Sequence, residues 1–260
     1  MSVLSALGKV FGGIIFTLFL VGLIYTSAAA QSTTHDNLQP AFTGLISASM
    51  PVNESQFSQT KAVFMQYCQQ TGAATIDLGA LGGGGSNMTL KCSDIASATS
   101  AAQLVQLAAA GAFDSIYYKN YTCDFISCLS TLPDSEKPMM IFSAHANAFL
   151  NQIMAWMIAG IVVGLLLLIV SIRKPFGIAK AVGIEMIIAG ALSYAGVAFT
   201  KGAISANMPD VVAPLVNNLF GMLQSNFVIV LAIGVVLAVA GFVGAHFTKA
   251  KTKEKVKKKK

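Results

Sequence analysis

Charge is what this chain lacks. Only 11% of its 260 residues are Asp, Glu, Lys or Arg, while 55% are hydrophobic. A globular domain carries about 25% charged residues, so a water-soluble single domain is the first class this composition excludes. Catalytic signatures are missing too. The three histidines, His35, His145 and His246, are scattered, and no H-E-x-x-H pairs two of them for zinc. Gly-x-Ser-x-Gly does not occur. The glycine run 82–85 is followed by Ser86 and Asn87, without the Gly-Lys-Ser/Thr that a phosphate-binding loop needs. No enzyme and no cofactor is expected.

The surplus lies in long apolar runs. Residues 153–172 read IMAWMIAGIVVGLLLLIVSI, then Arg173-Lys174-Pro175. About 20 apolar residues cross a hydrocarbon core of about 30 Å. A basic pair closing one end marks the cytoplasmic side. Residues 181–200 return as a third span, and residues 225–248 form a fourth. The N-terminal segment 1–30 holds an apolar run with Ala28-x-Ala30 behind it. It reads as a retained first span, or as a signal peptide cleaved at that small-residue pattern. Retention is preferred. The remaining segments are an external domain at 31–147, a continuation of the second span at 148–172, a cytoplasmic turn at 173–180, an external amphipathic segment at 201–224 and a basic tail at 249–260.

The net charge of +6 conceals an asymmetry. Residues 31–147 hold eight acids against four lysines, whereas the tail holds eight lysines and Glu254. Basicity confined to one terminus removes support for nucleic acid as a partner. Counted by side, twelve basic residues fall inside and five outside. That asymmetry predicts cytoplasmic termini in a multi-pass protein of the plasma membrane. The lysine tail is a stop-transfer flank that also attracts anionic lipid.

All four cysteines, Cys68, Cys92, Cys123 and Cys128, lie within 31–147. Two disulfides in an oxidising compartment are expected, with three pairings open. Asn53-Glu-Ser, Asn87-Met-Thr and Asn120-Tyr-Thr are glycosylation patterns in the same stretch. Helices are expected at 40–50, 57–70 and 94–110, the last capped by Gly111. Nothing alternates with period two for long enough to require a sheet. From Pro138 the helical pattern runs unbroken to Ile172.

Glu185 is the one ionisable residue well inside an expected span. A carboxylate there is a candidate for function. The structural alternative, which is preferred, pairs it with Lys180 or Arg173. Gly160, Gly164, Gly241 and Gly244 give small-residue faces suited to close helix packing.

The Arg173-Lys-Pro-Phe-Gly turn, the amphipathic segment and the glycine-rich last span with its basic end loosely resemble uncharacterised prokaryotic multi-span membrane proteins. The four-span plan with a large first external loop is similar to claudins in topology only. The claudin W-x-x-W pattern is absent, because Trp156 is the only tryptophan. The expectation is an all-α membrane protein of four transmembrane helices with a mainly helical, disulfide-stapled extracellular domain in the first loop. Its expected role is structural or interactive, as a subunit assembling with itself or with other membrane proteins. The alternative is a channel or transporter component using Glu185.

Overall fold

The computed structural model describes residues 3–49, 54–72, 74–77, 89–172, 174–205 and 213–257. In chain order these form α1 (Val3–Ser32), α2 (His35–Ser49), α3 (Phe57–Thr71), β1 (Thr75–Asp77), β2 (Thr89–Lys91), α4 (Cys92–Ser97), α5 (Ala101–Tyr117), α6 (Phe125–Thr131), α7 (Lys137–Ile141), α8 (Ala144–Ile172), α9 (Pro175–Ser205) and α10 (Ala213–Lys257). Asn53, Asn87, Arg173 and the run 82–86 lie outside the described residues. The chain divides into two compact units, one of Met1–Ala29, Leu150–Met208 and Val216–Lys260, the other of Ala30–Phe149 and Pro209–Leu215.

The first unit is a helical bundle. Among the described residues, four stretches are long and apolar enough to cross a membrane: Ala6–Ser32, Ala144–Ile172, Pro175–Gly202 and Val216–Phe247. α1 buries Phe16, Leu20, Ile24 and Ala28, a stripe at four-residue steps that lies along one helical face. Glycines bring the backbones together. A Cβ at Gly164 of α8 would lie 2.8 Å from the backbone nitrogen of Phe16, and one at Gly160 would collide with the Phe19 ring. On α10, Gly234 faces the Ile187 nitrogen of α9, where a Cβ would sit 2.9 Å away. Gly241 lies against the Lys180 backbone and Gly244 against the Phe176 ring. Helices in lipid gain stability from such van der Waals contact, because hydrocarbon tails supply no hydrophobic drive.

Two expectations about this unit are corrected. The turn after α8 is shorter than 173–180, since α9 already begins at Pro175. Proline is preset for the first helical position, where its missing N–H costs nothing. The segment 201–224 is not a separate interfacial helix. α9 continues through Lys201 to Ser205, and residues 213–224 belong to α10, which runs unbroken into the last span. Gly221 lies within this stretch, and a single glycine costs a helix only about 1 kcal/mol.

The second unit has two small cores. Leu38, Phe113 and Tyr117 join α2 to α5, with Phe42 packed beside them. Cys68, Ile76, Leu90, Ile95, Ala98 and Leu104 form the other. It includes an antiparallel β1–β2 pair in which Ile76 opposes Leu90, and both are almost fully buried. Three-residue strands are too short to show period two, which is why no sheet was expected. α3 runs to Thr71, one residue past the expected end, and stops at Gly72, whose φ of 59° is the left-handed cap conformation.

Helix boundaries elsewhere move. α2 starts at His35 and carries Pro40 inside it. The expected helix 94–110 is two helices, and Gly111 lies within the second. Between them, Ala98 is extended and Ser100 caps α5, accepting from the Gln103 N–H at 3.2 Å while Gln103 Oε1 accepts from Thr99 N–H at 2.8 Å. Ser-x-x-Gln is a helix start signal, although Gln103 here reaches one residue past the cap, to Thr99. Charges reinforce the break. Glu54 accepts from the Ala101 N–H at 3.0 Å, opposite the positive end of α5. Lys61 donates to the carbonyls of Ala96 and Ala98 at 2.8 and 2.7 Å. A second break separates α7 from α8. Ser143, fully buried, donates to the Met140 carbonyl and accepts from the Ala146 N–H.

Candidate functional site

Glu185 sits on the face of α9 that meets α1. Its Oε2 accepts a hydrogen bond from the Thr17 hydroxyl at 2.8 Å. Gly13, one turn before Thr17, makes room for the other oxygen: a Cβ there would lie 2.5 Å from Oε1. The ion pair expected between Glu185 and Lys180 is absent. Residues five apart on a helix lie about 140° apart around its axis, whereas paired side chains sit three or four apart. Lys180 instead holds its ammonium 3.9 Å from the centroid of the Phe242 ring, a cation–π contact with α10. Arg173, the other candidate partner, lies outside the described residues.

Tyr194 is exposed on α9, and the Thr200 hydroxyl is spent on the Gly196 carbonyl of its own helix. What the arrangement can do chemically is accept one proton or hold one hydroxyl.

A second cluster lies in the unit of residues 30–149. His35 Nε2 is 2.7 Å from Asp114 Oδ1, and Nδ1 is 3.5 Å from Asp36 Oδ1. The imidazole stacks on Tyr118 at 5.5 Å and also contacts Phe113 and Tyr117. The hydrogen bond to Asp114 raises the His35 pKa, burial opposes it, and Asp36 adds a smaller upward push. Tyr117 donates to the Thr33 carbonyl at 3.1 Å. Sequence reasoning missed this cluster, since it counted His35 as scattered. Nothing in the sequence ties residue 35 to residue 114.

The cysteines form Cys68–Cys92 and Cys123–Cys128. The first links the end of α3 to the start of α4. The second closes a short loop in which Asp124 caps α6 by accepting from the Ser127 N–H at 2.8 Å. The Ser127 hydroxyl, together with that capping bond, holds the Asp124 carboxyl below its ordinary pKa. Asn120 is exposed just before this loop. Tyr121, beside it, has a buried hydroxyl that makes no hydrogen bond, as does Nε2 of the neighbouring His145. Burial raises the Tyr121 pKa. Two ion pairs, Lys119–Glu136 at 2.7 Å and Lys137–Asp134 at 2.6 Å, flank the loop. Among the described residues, no three His, Cys, Asp or Glu side chains are grouped to hold a metal ion.

The chain matches no protein-family model, and comparisons with curated proteins and with solved structures found no match. Four apolar helices and two disulfides define it as an all-α membrane protein.

Proposed function

We propose that this protein is a structural or interaction component of the plasma membrane, presenting residues 30–149 outside the cell with both termini in the cytoplasm. The observation that carries the reading is where the polar groups are spent. Glu54, Lys61, Ser100 and Asp124 serve helix ends, both disulfides brace the same unit, and Glu185 is bound to Thr17. These are devices for holding a shape. The external placement rests on the lysine asymmetry, on cysteines confined to residues 31–147, and on the acceptor patterns at Asn53, Asn87 and Asn120. The tail lysines face anionic lipid in this orientation, at about 1 kcal/mol each near the surface. Assembly with copies of itself or with other membrane proteins is the corresponding mode of action.

Topology and activity are tested together. In intact cells, an impermeant thiol reagent leaves a cysteine placed at Lys174 unlabelled and reaches one placed at Ser135. Labelling at Lys174 from outside overturns the orientation. Purified protein in liposomes passes no protons or alkali cations above the background of empty vesicles. A flux abolished by Glu185→Gln at unchanged thermal stability replaces this reading with the channel or transporter.

A further inference from the structure

The sequence left two fates open for residues 1–30. The three other spanning helices each present α1 with something a lipid tail cannot replace. α8 offers a notch at Gly160 and Gly164, filled by Phe19 and the backbone of Phe16. α10 offers the fully buried Phe227, met edge-on by Tyr25 at a centroid distance of 5.4 Å. α9 offers Glu185, whose carboxylate takes the Thr17 hydroxyl. We propose that α1 is a permanent span of the folded protein, retained despite the Ala28-x-Ala30 pattern, and that the Thr17–Glu185 hydrogen bond is the lock that fixes it to α9.

Two independent features support retention. First, without α1 the Glu185 carboxyl group loses its hydroxyl donor at membrane depth, where an unsatisfied polar group is costly. The same loss empties the notch on α8 and uncovers the inner stripe of the bundle. Second, the peptide that follows Ala30 is built into the packing of the folded protein rather than left as a free junction. Here Ala28 and Ala30 are buried, and α1 is helical through Ser32. The carbonyl of Ala30, which belongs to the scissile peptide, accepts a hydrogen bond from the Asn147 side-chain amide at 2.6 Å. Asn147 also reaches the Thr33 hydroxyl at 3.1 Å.

The lock is separable from ordinary packing. Thr17→Val keeps the side-chain volume but removes the donor, leaving a carboxylate without its hydroxyl. If Glu185 is first changed to Leu, no carboxylate remains to be orphaned, and Thr17→Val then removes nothing of consequence. Thr17→Ser keeps the donor in either background.

The full-length protein extracted from membranes is weighed intact, and its unfolding midpoint is followed in detergent. The expected mass includes residues 1–30. A mature chain beginning at Gln31 overturns retention. Thr17→Val is expected to lower the midpoint in the native background, Thr17→Ser to leave it near the native value, and Thr17→Val to have little further effect once Glu185→Leu is present. An equal shift from Thr17→Val in both backgrounds overturns the lock and leaves α1 held by packing alone.

Discussion

Replacing each disulfide by a pair of alanines separates the two bridges by loop length. Cys68–Cys92 spans a sequence separation of 24, and Cys123–Cys128 one of 5. In the chain-entropy treatment, closing a loop of n residues removes roughly 2.1 + 1.5R ln n cal/mol/K from the unfolded chain, which gives about 3.5 kcal/mol for the long loop and about 2 kcal/mol for the short one at 25 °C. Each bridge also has one buried cysteine, Cys68 and Cys128 respectively. Its loss leaves a small cavity worth about 1 kcal/mol in either variant. The cavity contributions nearly cancel in the comparison, so Cys68→Ala/Cys92→Ala should destabilise the unit of residues 30–149 by about 1.5 kcal/mol more than Cys123→Ala/Cys128→Ala. Local context sharpens the ordering. The long bridge joins α3, β2 and α4 around the core of Ile76, Leu90 and Ile95, whereas the short one stabilises a capped turn. Amide hydrogen exchange of the two variants in detergent, read at β1 and β2 and at α6, measures both opening free energies against the native protein. Equal losses, or a larger loss for the short loop, would refute the reasoning.

Further outcomes are expected from the same geometry. His35 has a raised pKa, so its contact with Asp114 contributes fully below the ordinary histidine value of about 6.5 and is lost as pH rises through the higher folded-state value. Exchange protection at the α2–α5 contact should therefore fall as pH rises above about 6.5, and His35→Gln should flatten that profile. Protection that rises with pH in the native protein would show the sign to be wrong. Gly164→Ala forces a Cβ to within 2.8 Å of the Phe16 backbone and should cost about 1 to 3 kcal/mol by overpacking. Gly196→Ala, where nothing lies within 4 Å, should be neutral or stabilising in the same melting experiment.

Residues 153–172 determined a membrane span by themselves, because about 20 uncharged apolar residues match the thickness of hydrocarbon whatever surrounds them. The end of α3 near residue 70 and the confinement of the cysteines to one stretch were equally legible, being matters of local conformation and composition. What required the tertiary structure is everything that depends on which residues meet. Four cysteines allow three pairings, and only the approach of α3 to the start of α4 selects Cys68 for Cys92. The break at Ala98 was written in Ser100-x-x-Gln103, but a longer run of alanines masked it until Glu54 and Lys61 were seen at the helix ends. Glu185 could be found in the sequence, yet its partner could not. Proximity along the chain suggested Lys180, while the helical turn points the two side chains in different directions. The hydroxyl that Glu185 holds lies 168 residues away on α1, brought there by helix faces that pack because glycine leaves them room.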